Sequence, residues 1–136
     1  MKMFVDSGAW YALADAADEH HRAATEFVRQ LDAVFLLTTD YIVDETVTLL
    51  LFGLSHRAAV AFLRSVHRSA RLSCEQVTPD HLRRAEHIFT RYSDKRWSFT
   101  DCVSFAFMED HGLKDAFTFD GNFEEFGLRM HPRVAR

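Results

Sequence analysis

The sequence has little cysteine and little proline, with two of each in 136 residues. A chain with so few cysteines and no C-x-x-C pair is not a disulfide-rich scaffold, and Cys74 and Cys102 are predicted to be two reduced thiols in the core. Only five glycines, against 13 phenylalanines, also exclude a low-complexity or disordered chain. Residues 1–136 are therefore predicted to form one domain with a real hydrophobic core.

Long apolar runs are also missing. No stretch approaches the roughly 20 apolar residues that cross a bilayer, and Lys2 and Asp6 interrupt the N-terminus before a signal-peptide core could form. We expect a soluble, cytoplasmic protein that makes no use of a membrane.

The chain has no overall excess of positive charge, because its net charge is -4. Residues 57–96, however, contain nine Lys and Arg and only four Asp and Glu. A basic segment of this kind can bind a polyanion, or it can be an ordinary solvated helix face. The arginines that could contact phosphates are Arg57, Arg64, Arg68, Arg71 and Arg96.

Short apolar runs alternate with longer segments of helical periodicity, which is the pattern of an α/β fold with a mainly parallel sheet. Helix caps are expected among residues 38–40, at Ser55 and at Ser98, and Pro79 is expected in a first helical turn. The predicted strands cover residues 2–5, 34–37, 72–77, 116–119 and 128–130. Helices are predicted from about residue 9, over residues 19–31, 40–51, 79–92 and 99–112, and after the cap at Ser55.

Three acids stand at the ends of these elements: Asp6 follows the first strand, Asp101 begins a helix, and Asp120 follows the fourth strand. Each has an ordinary explanation as a helix cap, a capping-box residue or a turn residue. The carboxyl ends of parallel strands open on one edge of a sheet, however, and ligands bind there. The three carboxylates are therefore expected to meet.

A fourth acid, Glu45, is placed by helical spacing on one face with Ile42, Leu49 and Phe52. Burying a carboxylate on an apolar stripe is costly without a cationic partner. Nearby lysines and arginines are scarce, so a divalent cation is the simplest partner. Oxygen-only ligands favour Mg²⁺ or Mn²⁺, and the chemistry of such sites is phosphoryl transfer.

On these residues the chain resembles the PIN-domain ribonucleases, and most closely the VapC-type toxins of bacterial toxin–antitoxin pairs. The resemblance spans nearly the whole chain, and its motifs are specific as an ordered set, whereas any one alone is weak. They are FVDSGAWYAL with Asp6, VDETVTLL with Glu45, WSFTDCVSFAFM with Asp101, and DAFTFDGNFEEFG with Asp120.

The resemblance implies a three-layer α/β/α domain with a sheet of four to five strands. It also implies a Mg²⁺- or Mn²⁺-dependent endoribonuclease, a cognate antitoxin partner and a homodimer. Asp6, Glu45, Asp101 and Asp120 would be the catalytic and metal-binding acids, with Ser7 and Thr100 as orienting hydroxyls. The family often has a further aspartate where this chain has Asn122, which removes a charge from a second metal site.

Other functions remain open on the sequence alone. The acids could cap helices in a non-catalytic interaction module, or the nuclease could act without an antitoxin. A histidine zinc site, a serine nucleophile and an aspartyl-phosphate phosphatase are disfavoured because their motifs are missing. For a nuclease, we expect in-line attack of water on RNA that leaves a 5′-phosphate and a 3′-hydroxyl.

Overall fold

A computed structural model describes residues 1–133. Its centre is a five-stranded sheet in the order β3-β2-β1-β4-β5, in which every neighbouring pair is parallel. The strands are β1 (Lys2–Val5), β2 (Phe35–Thr39), β3 (Leu72–Glu75), β4 (Asp115–Phe117) and β5 (Arg129–His131). The predicted α/β fold with four to five mainly parallel strands is confirmed.

Seven helices are present among these residues, and they lie on both faces of the sheet. They are α1 (Ser7–Ala14), α2 (His21–Gln30), α3 (Asp40–Gly53), α4 (His56–Arg68), α5 (Pro79–Arg91), α6 (Phe99–Asp110) and α7 (Asn122–Glu125). The predicted caps are confirmed, because Thr39, Ser55 and Ser98 each accept a backbone N–H of the helix that follows.

The alternation of side chains along β1 divides the core into two layers. Met3 and Val5 point into a cluster with α1 and α2, whereas Phe4 points into a larger cluster with α5 and α6. All three side chains are at most 1% exposed. The period-two pattern of a strand buried on both faces thus produces the three-layer arrangement.

The sheet also fixes where the loops meet. The register pairs Phe4 with Leu37 and Val5 with Phe117. Since all five strands run the same way, Asp6, the start of α3 and the loop after β4 emerge at the same edge.

One core prediction is wrong. Cys102 is fully buried in α6, but Cys74 is exposed, because β3 is an edge strand with only one neighbour. No helix within residues 1–133 is long and apolar enough to cross a membrane.

Candidate active site

Asp6 is fixed at the carboxyl end of the central strand β1. Its backbone N–H donates to the carbonyl of Phe117 at 3.0 Å, which extends the pairing of β1 with β4 by one residue. Its side chain is only 5% exposed and accepts a 3.0 Å hydrogen bond from the Thr118 hydroxyl. Asp6 occupies the N-cap position of α1 but makes no side-chain cap hydrogen bond, so its carboxylate is not used to start the helix.

Burial raises the pKa of Asp6 to about 7. The negative charges of Asp101 and Glu45 contribute to this rise, whereas hydrogen bonds from the Ser7 backbone and the Thr118 hydroxyl oppose it. A carboxylate in this position is poorly stabilised by the protein alone.

Asp120 is held by the turn that follows β4. Its N–H donates to the Thr118 hydroxyl at 3.0 Å, and its Oδ1 accepts the N–H of Asn122 at 2.9 Å. The Asn122 side-chain amide donates to Asp101 Oδ2 at 3.2 Å and approaches Asp120 Oδ2 at 3.5 Å. Asn122 therefore joins two acids that would otherwise repel each other.

Asp101 has two structural roles at once. It forms a capping box with Ser98: the Asp101 N–H donates to Ser98 Oγ and the Ser98 N–H donates to Asp101 Oδ2, both at 3.0 Å. Burial raises the pKa of Asp101, and the charges of Asp120 and Glu45 add to that rise, while the Ser98 and Asn122 hydrogen bonds oppose it. The cap thus fixes a carboxylate that also faces the other acids.

Glu45 reaches the same place from α3, where its Oε1 accepts a short hydrogen bond from the Ser7 hydroxyl. The predicted reason for its position is wrong. The buried line of α3 is Ile42, Thr46 and Leu50, whereas Leu49 is 43% and Phe52 is 84% exposed. Glu45 lies next to this buried face and is half-buried. Its contact with Ser7 places it at the carboxyl edge of the sheet.

Comparisons with known proteins identify the family of this chain. Residues 3–128 match the family model described as PIN domain. The chain is 35% identical to the 23S rRNA-specific endonuclease VapC20 of Mycobacterium tuberculosis over 126 residues, which are 93% of this chain and 95% of that protein. This chain belongs to the PIN-domain family, and within it to the VapC type. PIN domains are nucleases that act on phosphodiester bonds.

Solved structures show the same fold. The crystal structure of M. tuberculosis VapC20, described as a sarcin–ricin loop cleaving toxin, matches with a TM-score of 0.87 and 33% identity over 93% of this chain and 95% of that one. VapBC2 from Rickettsia felis, solved with a DNA fragment from its promoter, matches with a TM-score of 0.70. Its identity is 8% over 96% of this chain and 98% of that chain, so it supports the fold alone.

The donor set of this PIN domain fits a divalent cation. Within residues 1–133, the four acids form no ion pair with a lysine, arginine or histidine. No three of them bring one oxygen each within 4.8 Å of one another in that part of the chain. An ion bound between them would therefore use water for part of its coordination, as Mg²⁺ commonly does.

A histidine cluster elsewhere in the PIN domain fits a metal poorly. Nitrogens of His81 and His111 and an oxygen of Asp110 lie within 4.8 Å of one another. However, His81 Nδ1 accepts the N–H of Thr78 at 3.0 Å, so the ring proton is on Nε2, 2.8 Å from Asp110 Oδ2. An Nε2 that carries a proton donates to the carboxylate and has no lone pair for a metal.

The other predicted residues differ in position. Thr100 is half-buried in the first turn of α6, beside Asp101, and its side chain makes no hydrogen bond to another residue of 1–133. Arg96 is exposed two residues before the Ser98 cap, and Arg57 and Arg64 are exposed on α4. Arg68 ends α4 and Arg71 precedes β3, so both lie towards the amino edge of the sheet, opposite the acids.

One residue of the site was missed from the sequence. Thr118 is fully buried and joins two acids, since its hydroxyl donates to Asp6 and accepts from the N–H of Asp120. The available signal was a threonine two residues before Asp120, at the end of an otherwise apolar strand. A polar residue there could equally have faced solvent, so only the register of β1 with β4 reveals its role.

Proposed function

We propose that this protein is a Mg²⁺- or Mn²⁺-dependent endoribonuclease and the toxin of a VapBC-like toxin–antitoxin pair. The observation that carries the proposal is the convergence of Asp6, Glu45, Asp101 and Asp120 at one edge of the sheet. Asp6 is nearly fully buried there, and no basic side chain of residues 1–133 forms an ion pair with it. The relationship to VapC20, a curated RNA endonuclease, supports RNA as the substrate.

The roles of the residues follow from their contacts. Asp6, Asp101 and Asp120 would hold the ion, and Asn122 keeps Asp101 and Asp120 together. When bound, the ion offsets the charge of the phosphodiester and lowers the pKa of nearby water. Ser7 holds Glu45, whose carboxylate would complete the metal site or orient the attacking water.

Thr100 and the arginines have supporting roles in this proposal. Thr100 offers a free hydroxyl beside Asp101 for a water or a phosphate oxygen. Arg96, Arg57 and Arg64 would contact the phosphates next to the cleaved bond, while Arg68 and Arg71 could reach only a more distant part of a long RNA. Each phosphate contact should increase the salt dependence of binding.

The central experiment measures RNA cleavage by the purified protein. An end-labelled sarcin–ricin stem-loop is the first substrate, because VapC20 is described as cleaving that loop. We expect cleavage with Mg²⁺ or Mn²⁺, none with EDTA, and a loss of about 100-fold or more in Asp6→Asn and Asp101→Asn. Asp44→Asn, which changes an exposed acid next to Glu45, is the matched control and should cleave normally.

The ends of the product test the mechanism. Hydrolysis by water gives a 5′-phosphate and a 3′-hydroxyl, which a 5′-phosphate-dependent exonuclease and ligation would detect. A 2′,3′-cyclic phosphate would contradict the mechanism, because it requires the 2′-hydroxyl as nucleophile. Cleavage in EDTA, or undiminished cleavage by both variants, would contradict the site.

The assembly forms the remainder of the proposal. We propose a cytoplasmic homodimer of a single PIN domain, residues 1–136, that binds a cognate antitoxin. A short neighbouring gene for a DNA-binding protein that co-purifies with this chain would support the toxin role over a nuclease acting alone. Light scattering of the isolated chain should give about twice its mass of 15.7 kDa.

A further inference from the structure

A cavity of about 830 Å³ opens directly beside the acids, with Asp6, Ser7 and Asp120 in its lining. Its volume lies within the range of pockets that bind small organic molecules. Anything that fills the cavity is therefore in contact with the residues proposed to cleave RNA.

Two aromatic rings in the lining are stacked on each other. The rings of His20 and Phe119 are 4.3 Å apart between centroids and differ by 2° in orientation. Phe119 is also fixed by an edge contact with Phe117, and the N–H of His20 donates to Asp18 Oδ2 at 3.0 Å. The pair is therefore a pre-formed aromatic stack in the lining. The His20 side chain is 35% exposed, and its Nε2 lies 3.3 Å from Glu19 Oε1.

The cavity also has an apolar part from α3. Phe52 is 84% exposed and Leu49 is 43% exposed, although both line the cavity. Large apolar side chains left in solvent around a concave site are typical of a binding surface.

The charges of the lining indicate what kind of group enters. Within residues 1–133 its acidic side chains are Asp6, Asp18 and Asp120, and its lining includes no lysine or arginine. A phosphate would be repelled except where a cation intervenes, whereas a neutral planar group would not. Nucleobases are the neutral planar part of RNA, and unpaired bases bind proteins by stacking on aromatic rings.

We propose that the stacked His20–Phe119 pair is the platform for an unpaired nucleobase next to the cleaved phosphodiester, so that the cavity selects looped-out RNA. The inference rests on the proposed ribonuclease function and adds a specificity residue, His20. The phosphate remains at the acids while its base lies in the cavity.

Binding can be tested separately from cleavage. In the Asp101→Asn protein, an RNA stem-loop carries 2-aminopurine in place of each loop nucleotide in turn, and its fluorescence is measured. We expect quenching at one position, because stacking on a ring quenches 2-aminopurine. His20→Ala should remove the quenching and His20→Phe should keep it, while His87→Ala, an exposed histidine on α5, should leave it unchanged.

Cleavage kinetics provide the second measurement. In the otherwise unaltered protein, we expect His20→Ala to raise KM about tenfold with a smaller change in kcat. An RNA with an abasic ribose at the quenched position should also have a KM about tenfold higher with the original protein. With His20→Ala, the KM of the abasic RNA should equal that of the complete RNA. Thermal melting checks that the variants are folded.

The outcomes separate the two proposals. Quenching that depends on His20 without any cleavage would contradict the ribonuclease function and leave the platform standing. Cleavage without quenching, and with KM unchanged in His20→Ala, would overturn the platform. If His20→Ala and Phe52→Ala weaken only the binding of a co-purified antitoxin, the cavity belongs to that protein, and the nucleobase proposal is wrong.

Discussion

At the scale of the residue, the central feature is the buried carboxylate of Asp6, which has no cationic partner among residues 1–133. The pKa of Asp6 is raised from 3.8 to about 7 in the folded protein, mainly by burial. Between these values the native state holds a proton that the unfolded state has lost. The stability of the metal-free protein should therefore fall as pH rises from about 4 to about 7, by about 1 kcal/mol per pH unit from this group.

Urea unfolding in EDTA at several pH values tests this prediction. The side chain introduced by Asp6→Asn can still accept the Thr118 hydrogen bond but cannot ionise. The unfolding free energy of the variant should therefore fall less between about pH 4 and about pH 7, and it should exceed that of the original protein at pH 8. Mg²⁺ or Mn²⁺ should restore stability at pH 8 to the original protein more than to the variant. If the unfolding free energies of the two proteins changed in parallel with pH, the ionisation of Asp6 would not be the cause of the pH dependence.

At this scale the sequence predicted the four acids, with Ser7 and Asn122 as supporting residues, but not Thr118 or His20. Asp6, Asp101 and Asp120 could be found because strand ends and helix starts have local signals. Thr118 and His20 could not, since the function of each depends on a residue far away in the sequence, Asp6 for Thr118 and Phe119 for His20.

At the scale of the element, the capping box of Ser98 and Asp101 both begins α6 and holds the Asp101 carboxylate in the proposed active site. Ser98→Ala removes the acceptor for the Asp101 N–H. We expect a loss of about 1 kcal/mol in the free energy of unfolding and, because Asp101 loses part of its support, weaker metal binding and slower cleavage.

Ser55→Ala is the matched control for this prediction. Ser55 caps α4 by accepting the N–H of Ala58 at 3.1 Å, so its loss should lower stability by a similar amount. Ser55 is not hydrogen-bonded to any of the four acids. When both variants are folded, cleavage should therefore be slower only in Ser98→Ala. Equal activity in the two variants would mean that the cap does no more than begin the helix.

The positions of helices and strands were more predictable from the sequence than which face of each is buried. The caps, the proline in the first turn of α5 and all five strands were predicted, because each has a local chemical signature. The face of α3 was predicted wrongly, since Phe52 is apolar but exposed. Apolar spacing cannot distinguish a side chain in the core from one that lines a binding cavity.

At the scale of the whole molecule, the parallel sheet makes residues 114 positions apart into neighbours. Asp6 and Asp120 follow strands β1 and β4, which are paired although they stand near opposite ends of the chain. The sequence could predict this meeting only through the general rule for parallel sheets. We expect the four acids, brought together in this way, to hold a divalent cation.

The most direct measurement of that claim is Mn²⁺ binding, followed by calorimetry or electron paramagnetic resonance. We expect the original protein to bind Mn²⁺, and Asp6→Asn and Asp101→Asn to bind it about tenfold or more weakly. Asp44→Asn and His111→Ala should bind normally. Equal binding by all variants, or binding lost only in His111→Ala, would contradict the account.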